Sequence, residues 1–268
     1  MSKVHIDQGV IHYKNESFHF IKIGHGPQLG ITFHGMDGDP SNFFILQKHL
    51  LDQYTFISFY LPHHGPQKLK AKALKPEAIM AAIQGVKNNF NVEQFSLWGH
   101  SLGARICLKI VELQPNWVSE LILFSPDGIA KNPWYKMATS SRLGRYIFKK
   151  FTQNPEIFVN FIAKARLSSK NRISFVKRVI KNSNKLEKTY LTWTSLHYLV
   201  PFLAVVKINI KKQKIKTHIF IGKQDPIIPY KSINSFARKQ SMIHTYVLED
   251  GHHLLTKKHM DLFLSILK

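Results

Sequence analysis

Apolar residues along the first 128 positions follow two alternating spacings. Short continuous apolar runs, typical of buried β-strands, are separated by stretches in which apolar residues recur every three or four positions, as on one face of a helix. The apolar runs are LGITF (29–33), FISFYLP (56–62), FSLWG (95–99) and LILFSP (121–126). The clearest helical stretch is PEAIMAAIQGVKNNF (76–90). This alternation predicts an α/β fold in which parallel strands form a sheet with helices on both faces.

Two further elements are predicted near the amino end. VIHYK (10–14) and FHFIKI (18–23) predict a hairpin of two strands. SNFFILQKHLL (41–51) has helical spacing. Ser41 is its predicted N-cap, because a serine side chain can accept a hydrogen bond from the free N–H groups of the first turn.

The pattern becomes mainly helical from about residue 131 to residue 212. Its helical stretches are SRLGRYIFKKF (141–151), PEIFVNFIAKARL (155–167), RISFVKRVIK (172–181) and a Trp-, Tyr- and Leu-rich run at 190–206. Strand and helix then alternate again, with THIFIG (217–222), a helix near 230–240, IHTYVLED (243–250) and a last helix to residue 268. We therefore predict one α/β core domain, residues 1–128 and 210–268, interrupted by a helical insertion at 129–209.

Composition excludes several classes of protein. A hydrophobic content of 44% with 12% aromatic residues excludes a disordered chain. The single cysteine, Cys107, excludes an intramolecular disulfide and a multi-cysteine metal site. The longest apolar stretch, YLVPFLAVV (198–206), is far shorter than the ~20 residues that span a bilayer. No signal peptide is recognisable at the start, so a soluble cytoplasmic protein is expected.

Positive charge is concentrated in the insertion. The chain carries a net charge of +22, and residues 129–212 hold 18 lysines and arginines against two acidic residues. Such a concentration is typical of solvated helix surfaces or of contact with an anionic partner. No recognised nucleic-acid motif accompanies it, so we expect no nucleic-acid binding. Weak contact of this segment with an anionic ligand or lipid stays open, and the sequence does not determine the oligomeric state.

The segment Gly99-His100-Ser101-Leu102-Gly103 fits the pattern G-x-S-x-G between a predicted strand and a predicted helix. A serine at such a sharp turn adopts a strained backbone conformation that exposes its hydroxyl at the sheet edge. The flanking glycines allow helix and strand to approach each other closely. In this context Ser101 is a candidate nucleophile.

Serine needs a base that is itself held by a third group. Asp225 and His252 lie in loops that follow the two last predicted strands, so the chain order is Ser, Asp, His. The carboxyl ends of parallel strands meet at one edge of a sheet, where open α/β sheets place their sites. Two alternatives stay open: Asp127 in the loop after LILFSP as the acid, and His253 in place of His252.

A tight turn at the same edge offers a second group of donors. LGITF runs into His34-Gly35-Met36-Asp37-Gly38. The backbone N–H groups of Met36 and Leu102 are predicted to form an oxyanion hole. Histidines at metal-ligand spacing joined by carboxylates are not recognisable, so no metal site is expected.

Five motifs together resemble the α/β-hydrolase fold superfamily, specifically its small capped serine hydrolases. They are FHGMDG (33–38), LPHHG (61–65), WGHSLGA (98–104), GKQDPIIP (222–229) and EDGHH (249–253), and the match spans residues 28–268. The resemblance implies a mostly parallel eight-stranded sheet with a helical cap between strands six and seven, a Ser101–His252–Asp225 triad, and no cofactor. One departure is His63, which stands where LPGHG motifs have glycine.

The motifs say little about the substrate. Hydrolysis of a carboxylic ester or thioester of a small to medium molecule, through an acyl-enzyme, is the first hypothesis. A lyase or C–C bond hydrolase acting on a carboxylate-bearing metabolite is the second, because some relatives, such as a menaquinone-pathway enzyme, resemble this chain at Arg105 and bind a carboxylate there. Arg105 is otherwise expected to make a structural salt bridge. A non-catalytic ligand-binding protein on the same scaffold is the third hypothesis.

Overall fold

The computed structural model describes residues 6–130, 132–154, 156 and 183–267. These form an eight-stranded sheet with the strand order β1-β2-β4-β3-β5-β6-β7-β8. The strands are β1 Ile6–Tyr13, β2 Glu16–Ile23, β3 Gln28–Phe33, β4 Tyr54–Phe59, β5 Phe95–His100, β6 Val118–Phe124, β7 Lys216–Gly222 and β8 Ile243–Leu248. β1 pairs antiparallel with β2, and β2 with β4, whereas all pairs from β4 to β8 are parallel. The predicted hairpin and the mostly parallel sheet are therefore confirmed.

The described helices alternate with these strands. The α-helices are α1 Phe44–Gln47, α2 Pro76–Phe90, α3 Leu102–Leu113, α4 Pro133–Thr139, α5 Arg142–Gln153, α6 Ser183–Ser195, α7 Leu203–Lys212, α8 Tyr230–Ala237 and α9 Met260–Leu267. Short 3₁₀ helices span Pro40–Phe43, Pro115–Trp117, His197–Leu199 and Lys257–His259. The predicted helices at 155–167 and 172–181 lie outside the described residues, residue 156 excepted. Among the described helices, none combines the length and the apolar character needed to cross a membrane.

The cap of the helical turn at 40–43 differs from the prediction. Asp39, not Ser41, is the N-cap, and its side chain accepts a hydrogen bond from the N–H of Ser41 at 2.7 Å. The physical reason is Pro40, which has no N–H group and fits the first helical position, so the cap falls on the residue before it. The prediction of Ser41 as cap is wrong.

Strand alternation explains why both faces of the sheet carry helices. Successive side chains of a strand point to opposite faces. Trp98 of β5 is buried on one face, in a core that includes Phe43 beside α1 and Phe263 of α9. Its neighbour Gly99 faces α3, where a methyl group at Gly99 would lie 2.5 Å from the Cα atom of Ala104. The sheet thus holds α3 at the carboxyl end of β5, where Ser101 joins the two elements.

The chain divides into two compact units. The first, Met1–Lys131 and Tyr198–Lys268, contains the sheet. α7 lies in this unit although it overlaps the predicted insertion, and Asn209 of α7 donates hydrogen bonds to carbonyls of α3 at 3.0 Å. The second unit, Asn132–His197, follows β6 along the chain and contains α4, α5 and α6.

Candidate active site

Ser101 occupies a strained turn between β5 and α3. Its backbone has φ 48° and ψ −115°. This conformation is unfavourable for a residue with a side chain and is maintained only where the surroundings enforce it. Here the N–H of Ser101 donates to the carbonyl of Phe124 at 2.9 Å, and the carbonyl of Ser101 accepts from Asp127 at 3.1 Å. Both bonds fix the turn to the end of β6.

The glycines on either side of the turn are required by close approach. A Cβ atom at Gly103 would lie 2.0 Å from the carbonyl oxygen of Phe33 in β3. A Cβ atom at Gly99 would lie 2.7 Å from the Sγ atom of Cys107. A Cβ atom cannot approach other heavy atoms this closely, so only glycine allows α3 to begin directly against the sheet.

Three side chains from different loops form one hydrogen-bonded chain at this edge. Nε2 of His252 lies 2.9 Å from Oγ of Ser101, and Nδ1 of His252 lies 2.7 Å from Oδ2 of Asp225. The side chain of His252 is 7% exposed and that of Asp225 is completely buried. The arrangement can pass the serine proton to the imidazole while the carboxylate holds the ring.

The carboxylate of Asp225 is also fixed by its own loop. Its Oδ1 accepts hydrogen bonds from the N–H groups of Ile227 at 2.8 Å and Ile228 at 2.9 Å. Burial raises the pKa of Asp225, but the hydrogen bonds from His252 and from these two N–H groups outweigh burial and lower its pKa below the usual value. Asp225 is therefore an anion at neutral pH.

The turn after β3 lies directly beside Ser101. A Cβ atom at Gly35 would be 3.2 Å from the Cβ atom of Ser101, so Gly35 lies against Ser101. Met36 is the next residue along the chain. Leu102 is the first residue of α3, where N–H groups have no carbonyl partner in a preceding helical turn. The two predicted oxyanion donors thus belong to segments that meet at Ser101.

Residues 31–259 match the family model for the alpha/beta hydrolase fold. The chain belongs to the α/β-hydrolase fold family.

Individual relatives are distant. A Haemophilus influenzae protein that carries the name esterase/lipase is 26% identical over 109 residues, which are 41% of this chain and 38% of that protein. A thermophilic esterase from Thermogutta terrifontis has a TM-score of 0.69 at 15% identity, with 97% of both chains covered. The 2-hydroxy-6-oxo-6-phenylhexa-2,4-dienoate hydrolase of Rhodococcus sp. strain RHA1 has a TM-score of 0.66 at 17% identity, with 99% of this chain and 98% of that chain covered. Because the identities are this low, the two structures show that the fold is shared and nothing more.

In this α/β-hydrolase the alternative acid, Asp127, has a different partner. Its carboxylate pairs with the guanidinium of Arg105, whose side chain is 4% exposed. Asp127 also accepts a hydrogen bond from the N–H of Gly128 at 2.7 Å. The expected salt bridge of Arg105 is present. His253, the alternative base, is exposed, and its ring centroid lies 5.6 Å from that of His252.

Two buried histidines connect the turn after β3 to the turn after β4, an arrangement that the sequence did not reveal. Nε2 of His34 accepts the N–H of Leu61 at 3.0 Å, and Nε2 of His64 accepts the N–H of Asp37 at 3.2 Å. The Nδ1 atoms of the two rings face the carbonyls of Gly35 and Pro62, at 2.8 Å and 2.9 Å. Each ring therefore bonds as a neutral imidazole with its hydrogen on Nδ1. Their position in HG and LPHHG was the only sequence signal for this role.

His100, which directly precedes Ser101 in the chain, is also buried. Burial, followed by the charge of His252, lowers the pKa of His100 to about 3. Its ring centroid lies 5.6 Å from that of His252. A neutral His100 adds no positive charge beside His252. Within the described part of the chain, His, Cys, Asp and Glu side chains form no group of three that could hold a metal ion.

Proposed function

We propose that this protein is a serine hydrolase that cleaves a carboxylic ester or thioester through the triad Ser101–His252–Asp225. The continuous hydrogen-bonded chain from Asp225 to Ser101 supports this proposal more than any other observation. The strained turn at Ser101 and the family of the chain agree with it.

Acylation is the first half of the proposed reaction. Oγ of Ser101 attacks the carbonyl carbon of the substrate while Nε2 of His252 accepts the hydroxyl proton. The N–H groups of Met36 and Leu102 stabilise the negative charge that develops on the carbonyl oxygen. The tetrahedral intermediate collapses, and the alcohol or thiol leaves with the proton of His252. Asp225, as an anion, stabilises the imidazolium that exists between these steps.

Deacylation repeats the sequence with water as the nucleophile. His252 accepts a proton from water, the hydroxide attacks the acyl carbon, and Oγ of Ser101 recovers the proton as the acid is released. All proton transfers take place between substrate, water and the three side chains, so the proposed mechanism needs no cofactor.

The pairing of Arg105 favours ester or thioester hydrolysis over the carboxylate-directed lyase or C–C hydrolase hypothesis. Arg105 is 3% exposed and already bonded to Asp127. An arginine in this state is poorly placed to receive a substrate carboxylate, because the exchange would leave Asp127 as an uncompensated anion. No member of the proposed triad is missing, so the triad gives no support to the hypothesis of a non-catalytic binding protein.

Active-site labelling with a fluorophosphonate tests the proposal. Wild type should be labelled and should hydrolyse short p-nitrophenyl esters, and Ser101→Ala should abolish both. Ser125→Ala is the matched control, because Ser125 is also buried, directly follows the neighbouring strand β6 and has a positive φ of 44°. Labelling that persists in Ser101→Ala, or is lost equally in Ser125→Ala, contradicts the assignment.

A further inference from the structure

One face of α5 exposes large apolar side chains. Leu143, Tyr146 and Ile147 are spaced i, i+3 and i+4, so they lie on one side of the helix. They are 66%, 58% and 49% exposed, respectively. Met137 is 53% exposed, and its carbonyl would lie 2.1 Å from a Cβ atom at Gly144, which places it beside the first turn of α5. We call these four side chains the apolar face.

The opposite side of α5 already holds the helix in its unit. Phe148 is buried, and its ring centroid lies 5.4 Å from that of Tyr190 and 5.6 Å from that of Trp193, both in α6. Tyr135 of α4 packs on Trp193 at 5.2 Å. The core of the second unit therefore forms around Phe148, which lies on the other side of α5 from the exposed apolar face.

Basic residues border the apolar face on one side and also lie within it. Residues 132–154 contain five basic side chains and no aspartate or glutamate: Lys136, Arg142, Arg145, Lys149 and Lys150. At 100° per residue, Arg142 and Lys149 lie along one border of the face, and Lys150 lies within it. The Nζ atom of Lys150 is 5.8 Å from the centre of the Tyr146 ring. All except Arg145 are exposed.

This combination matches the chemistry of an anionic bilayer surface. Apolar side chains on one strip of a helix enter the boundary between headgroups and acyl chains, and flanking lysines and arginines contact the phosphates. A second copy of this chain would bring two faces of the same charge together, and nucleic acid offers no apolar layer for Leu143 and Ile147. Exposed apolar side chains that cluster on one face beside charged residues are typical of interaction sites.

We propose that the apolar face of α5 and its basic border bind the surface of membranes that contain anionic phospholipid. Met137, Leu143, Tyr146 and Ile147 insert among the lipids, and Arg142, Lys149 and Lys150 pair with headgroup phosphates. Each basic residue close to such a surface strengthens binding by about fivefold at low salt. The interaction does not depend on catalysis, so it stands or falls separately from the proposed hydrolase activity.

Sedimentation of the full chain with vesicles tests this binding. The protein should bind vesicles of phosphatidylcholine with phosphatidylglycerol, bind pure phosphatidylcholine at least tenfold more weakly, and dissociate as salt is raised. Leu143→Ser/Tyr146→Ser/Ile147→Ser should reduce binding at least tenfold, and Lys149→Gln/Lys150→Gln should reduce it by a similar factor. Circular dichroism confirms that each variant is folded.

The matched control alters exposed apolar residues elsewhere. Ile6 and Val10 of the edge strand β1 are 48% and 42% exposed, and Ile6→Ser/Val10→Ser should bind vesicles as wild type does. Ser101→Ala should also bind unchanged. Equal binding to neutral and anionic vesicles, unchanged binding of the α5 variants, or loss of a homodimer instead of vesicle binding in those variants would overturn the proposal.

Discussion

The guanidinium of Arg105, one turn along α3 from Ser101, pairs with the carboxylate of Asp127 in the loop after β6. The two side chains are 4% and 18% exposed, so water compensates little if one partner is removed. Asp127 also donates its N–H to the carbonyl of Ser101. The ion pair thus links the helix that follows Ser101 to the loop that holds the Ser101 turn.

Removing one member of this pair should destabilise the fold. We expect Asp127→Leu to lower the free energy of unfolding by about 3–5 kcal/mol, because a buried guanidinium then lacks its carboxylate. Arg105→Met/Asp127→Leu should recover much of this loss. Urea unfolding of both variants measures the difference. A stable Arg105→Met that instead raises KM for anionic substrates would show that Arg105 binds substrate.

Gly103 should tolerate no side chain. In Gly103→Ala the methyl carbon would meet the carbonyl oxygen of Phe33 at 2.0 Å. We expect a loss of several kcal/mol in unfolding free energy, or no soluble protein, because backbone of β3 or α3 would have to move. Gly251→Ala is the control, since nothing lies within 4 Å of its added methyl group. Similar unfolding curves for both variants would contradict this explanation of the glycine.

The sequence alone was sufficient to predict the elements that depend on a single local pattern. α2 begins and ends at the residues expected from helical spacing and Pro76. The close approach at Gly103 was expected from the G-x-S-x-G pattern. The loop positions of Asp225 and His252 were expected because parallel strands bring their carboxyl ends to one edge of the sheet. The distances among the three side chains follow from the structure alone.

Other features depend on contacts that no local pattern encodes. Asp39 caps the turn at 40–43 because Pro40 occupies the first helical position. The bonds from His34 to Leu61 and from His64 to Asp37 join residues 27 positions apart. Spacing along the chain carries no information about which N–H group such a ring accepts, so these roles could not be predicted.

Replacing His63 by glycine should stabilise the folded protein. Its φ of 64° lies in the left-handed region, which costs a residue with a side chain about 1–2 kcal/mol. Glycine loses more backbone entropy on folding, by about 0.5–1 kcal/mol, so His63→Gly should raise the unfolding free energy by up to about 1 kcal/mol. Thermal unfolding measures this gain, and a lower Tm would mean that the His63 side chain makes stabilising contacts.

His64 should act as a positioning residue for the proposed oxyanion hole. His64→Phe removes the acceptor of the Asp37 N–H, next to Met36. We expect kcat to fall about tenfold to a hundredfold, with KM nearly unchanged, because the turn loses its alignment in the transition state. His64→Gln, which retains an acceptor, should restore part of the rate. An equal fall in both variants, with loss of Tm, would indicate a structural role alone.

His100 should make stability depend on pH. Its pKa is lowered to about 3, chiefly by burial, so the folded protein keeps this imidazole neutral while the unfolded chain binds a proton below about pH 6.5. The unfolded state then binds more protons, and the free energy of unfolding falls as the pH drops from about 6.5 towards 3, by at most about 1.4 kcal/mol per pH unit. The lowered pKa of Asp225 acts in the same direction but only below about pH 4.

Urea unfolding of wild type and His100→Gln at about pH 7 and about pH 5 isolates the contribution of the histidine. The variant should lose less stability between the two pH values, and parallel losses would assign the effect to other groups.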